Sequence, residues 1–216
     1  MKTAYTMTLA LALGISLFAR ADSTAGTEAK ATATAASKER TALVVVGHGA
    51  PATDFPREKL RAIIELERQI TAAGGEESAP KEIVEKLEEL EREARRHPRN
   101  ERNDPYNAAV QRLAQAIARK GKFGTVLVAH NEFCGLDVDE AVDEAVKSGA
   151  TKVFVATTMI TPNNRHSDVD IAMKVARAQN KHPNVQVIYV WPIAVNNIAD
   201  FFVNEIERHA KAASNQ

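Results

Sequence analysis

Four short runs of apolar, largely β-branched residues constrain this chain more than any other feature: residues 42–46, 125–129, 152–157 and 185–190. Their near-continuous apolar character suits strands covered on both faces, as in a parallel sheet. Amphipathic helical patterns separate the runs, which is the alternation of βαβ units. The sequence therefore predicts an α/β domain with a four-stranded parallel sheet and helices on both faces.

The helices have legible ends. Asp104 is placed to cap a helix with Pro105 at its first position, Val110, Leu113, Ala114 and Ile117 form its apolar stripe, and Gly121 stops it. Asp137 and Glu140 have capping-box spacing, with Val142, Ala145 and Val146 packing inward and Gly149 at the end. Ile171, Val175 and Ala178 mark a helix after the third strand; Ile198, Phe201, Phe202 and Ile206 mark one after the fourth. Residues from about 55 to 102 break the rhythm. Two charged amphipathic patterns, 58–71 and 80–96, are separated by Gly74-Gly75 and restarted by Ser78 as a cap and Pro80 at the first helical position. That pattern predicts an inserted helical hairpin, either solvated and laid over the core or serving as a lid or dimer arm.

A chain of 216 residues holds one well-buried core rather than two full domains. Its 28 basic residues balance 28 acidic ones, so no net field favours nucleic acid or an anionic membrane, and neither is expected as a partner. Lys2, an apolar run over 7–18 and then Ala19-Arg20-Ala21 have the order of a signal peptide, residues 1–21, cleaved after Ala21. That run is too short to span a bilayer, and no later stretch is long enough. Residues 22–39, rich in Ala, Thr and Ser, read as a flexible leader. The expected mature domain is then 40–216, periplasmic or secreted, with no membrane contact after cleavage. Cys134 is the sole cysteine, so no intramolecular disulfide forms; its thiol is either buried or a soft metal ligand.

Three residues able to hold a divalent ion follow the carboxyl ends of three different predicted strands. His48 sits between two glycines after the first, Glu132 follows the second, and His166 closes a polar loop after the third. In an open parallel sheet those ends border the crevice where ligands bind, so the three side chains are expected to meet there. Imidazole and carboxylate donors suit Co, Ni, Fe or Zn, and an incomplete protein shell leaves positions for a substrate. Asn163, Asn164 and Arg165 beside His166 are placed to hold acidic groups of that substrate. Strand alternation is expected to send His130 and Glu132 to one side and Asn131 to the other, with His130 either supporting the site or packed in the sheet. His97, His182 and His209 lie in or beside helices and read as surface residues.

Taken in order, Val44-Val45-Val46-Gly47-His48-Gly49, Val126-Leu127-Val128-Ala129-His130-Asn131-Glu132, and Gly149-Ala150-Thr151-Lys152-Val153-Phe154-Val155 leading to His166 and Asp168-Val169-Asp170-Ile171 resemble the short form of the sirohydrochlorin cobaltochelatase family. The resemblance covers residues 43–55 and 104 to about 206, leaving out the export signal, the leader and the helical insertion. It implies a chelatase-like half-domain that inserts a divalent metal, cobalt before iron or nickel, into a sirohydrochlorin-like tetrapyrrole and acts as a homodimer. Position by position, it makes His48, Glu132 and His166 the metal-holding set, and His48 and His166 the bases that take the pyrrole protons. The chain departs from the family at Ala50, where a serine is usual, and at Asn164-Arg165, in place of glycines. Export from the compartment where sirohydrochlorin is made sets the alternative: a non-catalytic periplasmic protein that binds metal or tetrapyrrole.

Overall fold

Each of the four apolar runs forms a strand: β1 (Thr41–Gly47), β2 (Thr125–His130), β3 (Lys152–Thr157) and β4 (Gln186–Tyr189). The computed structural model describes residues 40–214, so the expected signal peptide and leader lie outside the described residues. The strands pair in parallel in the order β2-β1-β3-β4, the expected α/β sheet. Continuous apolar character in β1 follows from its two layers. Ala42, Val44 and Val46 pack with Val153 and Val155 beneath α4 (Val138–Lys147) and α5 (Ile171–Lys181). Leu43 and Val45 point the other way, against Val110 and Ala114 of α3 (Pro105–Lys120). A central parallel strand has no wet face, so neither set of alternate residues is polar.

The expected caps form at α3 and α4. The Asp104 carboxylate accepts from the Asn107 amide at 2.9 Å, with Pro105 at the first helical position. Asp137 and Glu140 make a reciprocal capping box at α4. The insertion is a helical hairpin, α1 (Arg57–Ala72) and α2 (Lys81–Arg96). Its second start differs from expectation: Pro80 itself is the cap residue, with φ −55° and ψ 134°, and no side chain caps the helix. The Ser78 and Ala79 amides instead close the turn onto the Gly75 carbonyl. Neither arm is simply solvated. Ile63, Ile70, Leu87, Leu90 and Ala94 form a second core with Ala52 and Phe55 from the loop after β1, and Phe133 from the loop after β2 packs against it. The hairpin thus sits on the loops at the carboxyl end of the sheet.

A last helix, α6 (Val195–Ala213), also forms, but none of its residues is buried. Phe201 and Phe202 are each 54% exposed and Ile206 is 66% exposed. The periodicity that announced the helix did not say what covers its apolar side.

A candidate metal centre at the strand ends

The register brings three strand ends level. Gly47 of β1 stands opposite His130 of β2, and Val46 opposite Thr157 of β3. Each of the three strands then releases its chain into a loop at the same height. His48, Glu132 and His166 each offer one ligand atom, and these atoms all lie within 4.8 Å of one another. Bonds of about 2.0–2.2 Å from nitrogen and oxygen donors to one divalent ion fit that spacing after small side-chain adjustments. The His48 and His166 rings meet edge to face, centroids 4.7 Å apart.

Local chemistry orients each donor. The His48 Nδ1 lies 2.8 Å from the Gly49 carbonyl, so its N–H donates there and Nε2 carries the free lone pair. The His48 amide donates to the Tyr106 hydroxyl at 2.9 Å, which ties the loop to the first turn of α3. Gly49 has φ +95°, and a Cβ there would stand 1.9 Å from the Glu132 carbonyl oxygen. Only glycine permits this approach, across which the Glu132 amide donates to the His48 carbonyl at 3.0 Å.

His166 opens a π turn, His166–Asp170, that continues as α5. Its Nδ1 lies 2.9 Å from the Asp170 Oδ2, 2.9 Å from the Asn131 Nδ2 and 3.6 Å from the Glu132 Oε1. When that nitrogen carries the ring hydrogen it donates to Asp170 and leaves Nε2 for an ion, the arrangement in which an outer carboxylate orients a ligating ring. When it is unprotonated, the Asn131 amide donates to it instead. The turn is anchored from β4 and the segment that follows it: the Tyr189 hydroxyl donates to the Ser167 carbonyl and the Trp191 indole to Asp168, both at 2.9 Å. The His166 and Glu132 side chains are 30% and 32% exposed, so the centre opens to solvent.

The structure corrects some expectations and decides between the alternatives left open for others. Strand alternation does not reach Asn131 and Glu132, because β2 ends at His130 and the chain bends. Asn131 is buried and turned toward His166 rather than away. His130 takes no part in the ligand group: it is 2% exposed, lies 6.3 Å from the Tyr106 ring, and its Nε2 has no partner. Burial therefore pulls its pKa down to about 4. Cys134 is buried and donates to Asp104 at 3.4 Å, outside the ligand group, and burial pushes its thiol up to about 12. His182 pairs with Asp143 at 2.7 Å and His97 with Asp54 at 2.8 Å, both only partly exposed.

The three residues before His166 have distinct environments. Asn163 is exposed with φ +63°. Asn164 closes the loop on itself, accepting from the Ser167 amide at 2.9 Å and donating to the Thr161 carbonyl at 2.5 Å. Arg165 is exposed, 3.4 Å from Asp170. Sequence reasoning missed Tyr106, Asp170 and the inward turn of Asn131. Asp170 had a usable signal, four residues beyond His166 at a helix start. Tyr106 had none, since nothing local says that α3 starts beside the His48 loop.

A parallel α/β sheet whose strand-end loops gather two imidazoles and a carboxylate offers a divalent ion three donors at an open edge. The CbiX family model matches residues 101–208, half of the chain, and the chain belongs to that family. Among solved structures, the chain is similar to the sirohydrochlorin chelatase SirB from Bacillus subtilis subspecies spizizenii in complex with cobalt, at 14% identity and a TM-score of 0.41, covering 72% of this chain and 44% of that one. It is also similar to SirB from Bacillus subtilis with Fe3+, at 15% identity and a TM-score of 0.38, covering 69% and 39%. A CbiX protein from Marinobacter aquaeolei VT8, assigned to cobalamin (vitamin B12) biosynthesis, gives 12% identity and a TM-score of 0.46 over 80% and 98%. The chain spans less than half the length of the two Bacillus proteins. No curated protein matches it.

Proposed function

We propose that this protein is a metallochelatase that inserts a divalent metal ion into a sirohydrochlorin-like tetrapyrrole, the ion being a substrate. The observation that carries this reading is the convergence of His48, Glu132 and His166 within 4.8 Å, at the sheet edge of a CbiX-family chain. Insertion requires an ion held by few protein atoms, so that nitrogens of the macrocycle can displace them, and a base for two pyrrole protons. Three partly exposed donors meet the first requirement. Once the ion has left, the Nε2 atoms of His48 and His166 are free to take the pyrrole protons, with the His166 ring held through Nδ1 by Asp170. Two borderline imidazoles with one harder carboxylate suit cobalt, iron or nickel, and cobalt is the metal we assign.

Two further parts belong to this proposal. The first is a homodimer: a tetrapyrrole is broad, the centre is open, and α6 leaves Val195, Phe201, Phe202, Val203 and Ile206 each more than half exposed. A second copy covers that surface most simply. The second is export, supported by the charge, apolar run and small-residue order of residues 1–21. Among the described residues, no helix is long and apolar enough to cross a membrane. Export also favours a second reading, stoichiometric binding of metal or tetrapyrrole without turnover.

One experiment separates the two. Incubate the protein with excess sirohydrochlorin and Co2+, Fe2+ or Ni2+ and follow the absorption of the macrocycle. Many product molecules per protein, abolished by His48→Ala or His166→Ala but not by His209→Ala, support the chelatase. A spectral change that saturates at one equivalent selects the binding protein, and equal effects from all three substitutions sink the site.

A further inference from the structure

The loops carrying His48 and Glu132 have irregular backbone whose inward carbonyls find no strand partner. Buried carbonyls of this kind require donors. Two guanidinium groups from the inserted hairpin supply them. Arg95, in the last turn of α2, donates to the His130 carbonyl at 3.2 Å and to the Asn131 carbonyl at 2.8 Å. Arg99, three residues beyond α2, donates to the Ala50 carbonyl at 2.7 Å, to the Ala94 carbonyl at 3.1 Å and to the Phe133 carbonyl. Carbonyls on both sides of Glu132 are therefore held, 130 by Arg95, 131 by Arg95 together with Lys174, and 133 by Arg99. Of the two arginines, Arg99 is the one that also bridges the Glu132 loop to the loop of His48.

Both groups are enclosed and charge-balanced. The Arg99 side chain is 8% exposed and pairs with Asp104, whose side chain is 1% exposed. Arg95 is 15% exposed and lies 3.6 Å from Asp137, which also pairs with Lys174 at 2.8 Å. These carboxylates are the N-caps of α3 and α4, so each arginine is fixed to a helix that packs on the sheet. A planar guanidinium holding two carbonyls sets their separation as well as pairing them, which a lysine ammonium cannot reproduce.

We infer that Arg95 and Arg99 are positioning residues that hold the His48 and Glu132 loops at metal-binding distance, and that the hairpin sets the metal affinity of the centre. This rests on the reading of His48, Glu132 and His166 as metal ligands. The hairpin contributes no ligand; its effect passes through backbone carbonyls one and two residues from those ligands. Preorganisation of this kind governs metal sites generally, and outer groups typically change affinity by about 10–100-fold.

The test uses the full chain with Co2+ alone, whose visible d–d bands report coordination geometry and whose titration reports affinity. Arg95→Lys and Arg99→Lys keep charge and most of the volume, and Arg96→Lys, on the exposed side of α2, is the control. Circular dichroism identifies the temperature at which every variant is folded, and binding is measured there. The expected result is Co2+ binding weakened about tenfold or more with altered d–d bands in Arg95→Lys and Arg99→Lys, and neither change in Arg96→Lys. A change in melting temperature alone is what a merely structural role would give. Affinity and spectrum equal to wild type in both folded variants overturn the inference. If Arg99→Lys does not fold, Arg95→Lys decides alone. His166→Ala run in parallel tests the underlying reading: Co2+ binding unchanged by it removes the metal site, and this inference with it.

Discussion

Replacing Gly49 by alanine isolates the contact on which the centre depends. Gly49 has φ +95°, where an L-residue with a Cβ costs about 1–2 kcal/mol. The added Cβ would also stand 1.9 Å from the Glu132 carbonyl oxygen, where real Cβ contacts keep at least 3.0 Å, so the loops must part by about 1 Å. Forcing such an overlap into packed structure costs about another 1–3 kcal/mol. Together these give about 3 kcal/mol, and at about 2–4 °C per kcal/mol for a domain of this size, Tm falls by roughly 6–12 °C. Because metal sites tolerate only about 0.5 Å of ligand displacement, Co2+ affinity falls at least about tenfold. Gly75 is the internal control: it has φ +113°, yet a Cβ there meets nothing within 4 Å. Gly75→Ala should show the backbone cost alone, with Co2+ affinity unchanged. Thermal unfolding by circular dichroism and calorimetric titration with Co2+ measure both quantities. Equal Tm and equal affinity for the two variants would refute the reasoning, since only the contact with Glu132 distinguishes them.

Other outcomes follow from the same geometry. Asp170→Asn removes the carboxylate 2.9 Å from the His166 Nδ1 and should weaken Co2+ binding by about tenfold, while Asp168→Asn, which removes a charge facing the Trp191 indole but keeps an acceptor for it, should not. His130 accepts a proton near 6.5 when unfolded but only near 4 in the fold, so its contribution is complete above pH 6.5 and is lost as pH falls toward 4. That loss is about 3 kcal/mol; urea unfolding at pH 7 and pH 4 should show a correspondingly smaller drop for His130→Gln, and an unchanged drop would contradict it. Phe201→Glu with Phe202→Glu should turn a sedimenting dimer into a monomer without altering Co2+ affinity; a wild-type protein that sediments as a monomer at all concentrations removes the dimer.

Much of the fold is written locally, and for that reason it was legible. A strand with both faces buried must be apolar at consecutive positions, and β1, β2 and β3 announce themselves in that way. Asp104, Asp137 and Glu140 satisfy helix ends within four residues of themselves, so the starts of α3 and α4 were readable too. The gathering of His48, Glu132 and His166 followed from one topological rule, that ligands bind at the carboxyl ends of parallel strands. Alternation failed at Asn131 because it is a property of strands, and β2 had already ended.

What surrounds the three candidate ligands was decided by packing between segments distant in sequence. Tyr106 meets His48 across 58 residues, and Arg99 meets Ala50 across 49. Nothing near Arg95 or Arg99 distinguishes them from the exposed arginines of the insertion, because a guanidinium becomes a clamp only when buried carbonyls are brought to it. The same holds for α6, whose sequence specifies an apolar stripe but not its cover. Local sequence here determined which segments are strands, which are helices and which loops carry the two histidines and the glutamate of the candidate site. Tertiary structure alone decided which side chains support them, since hydrogen bonds and burial depend on partners that the chain's own periodicity does not encode.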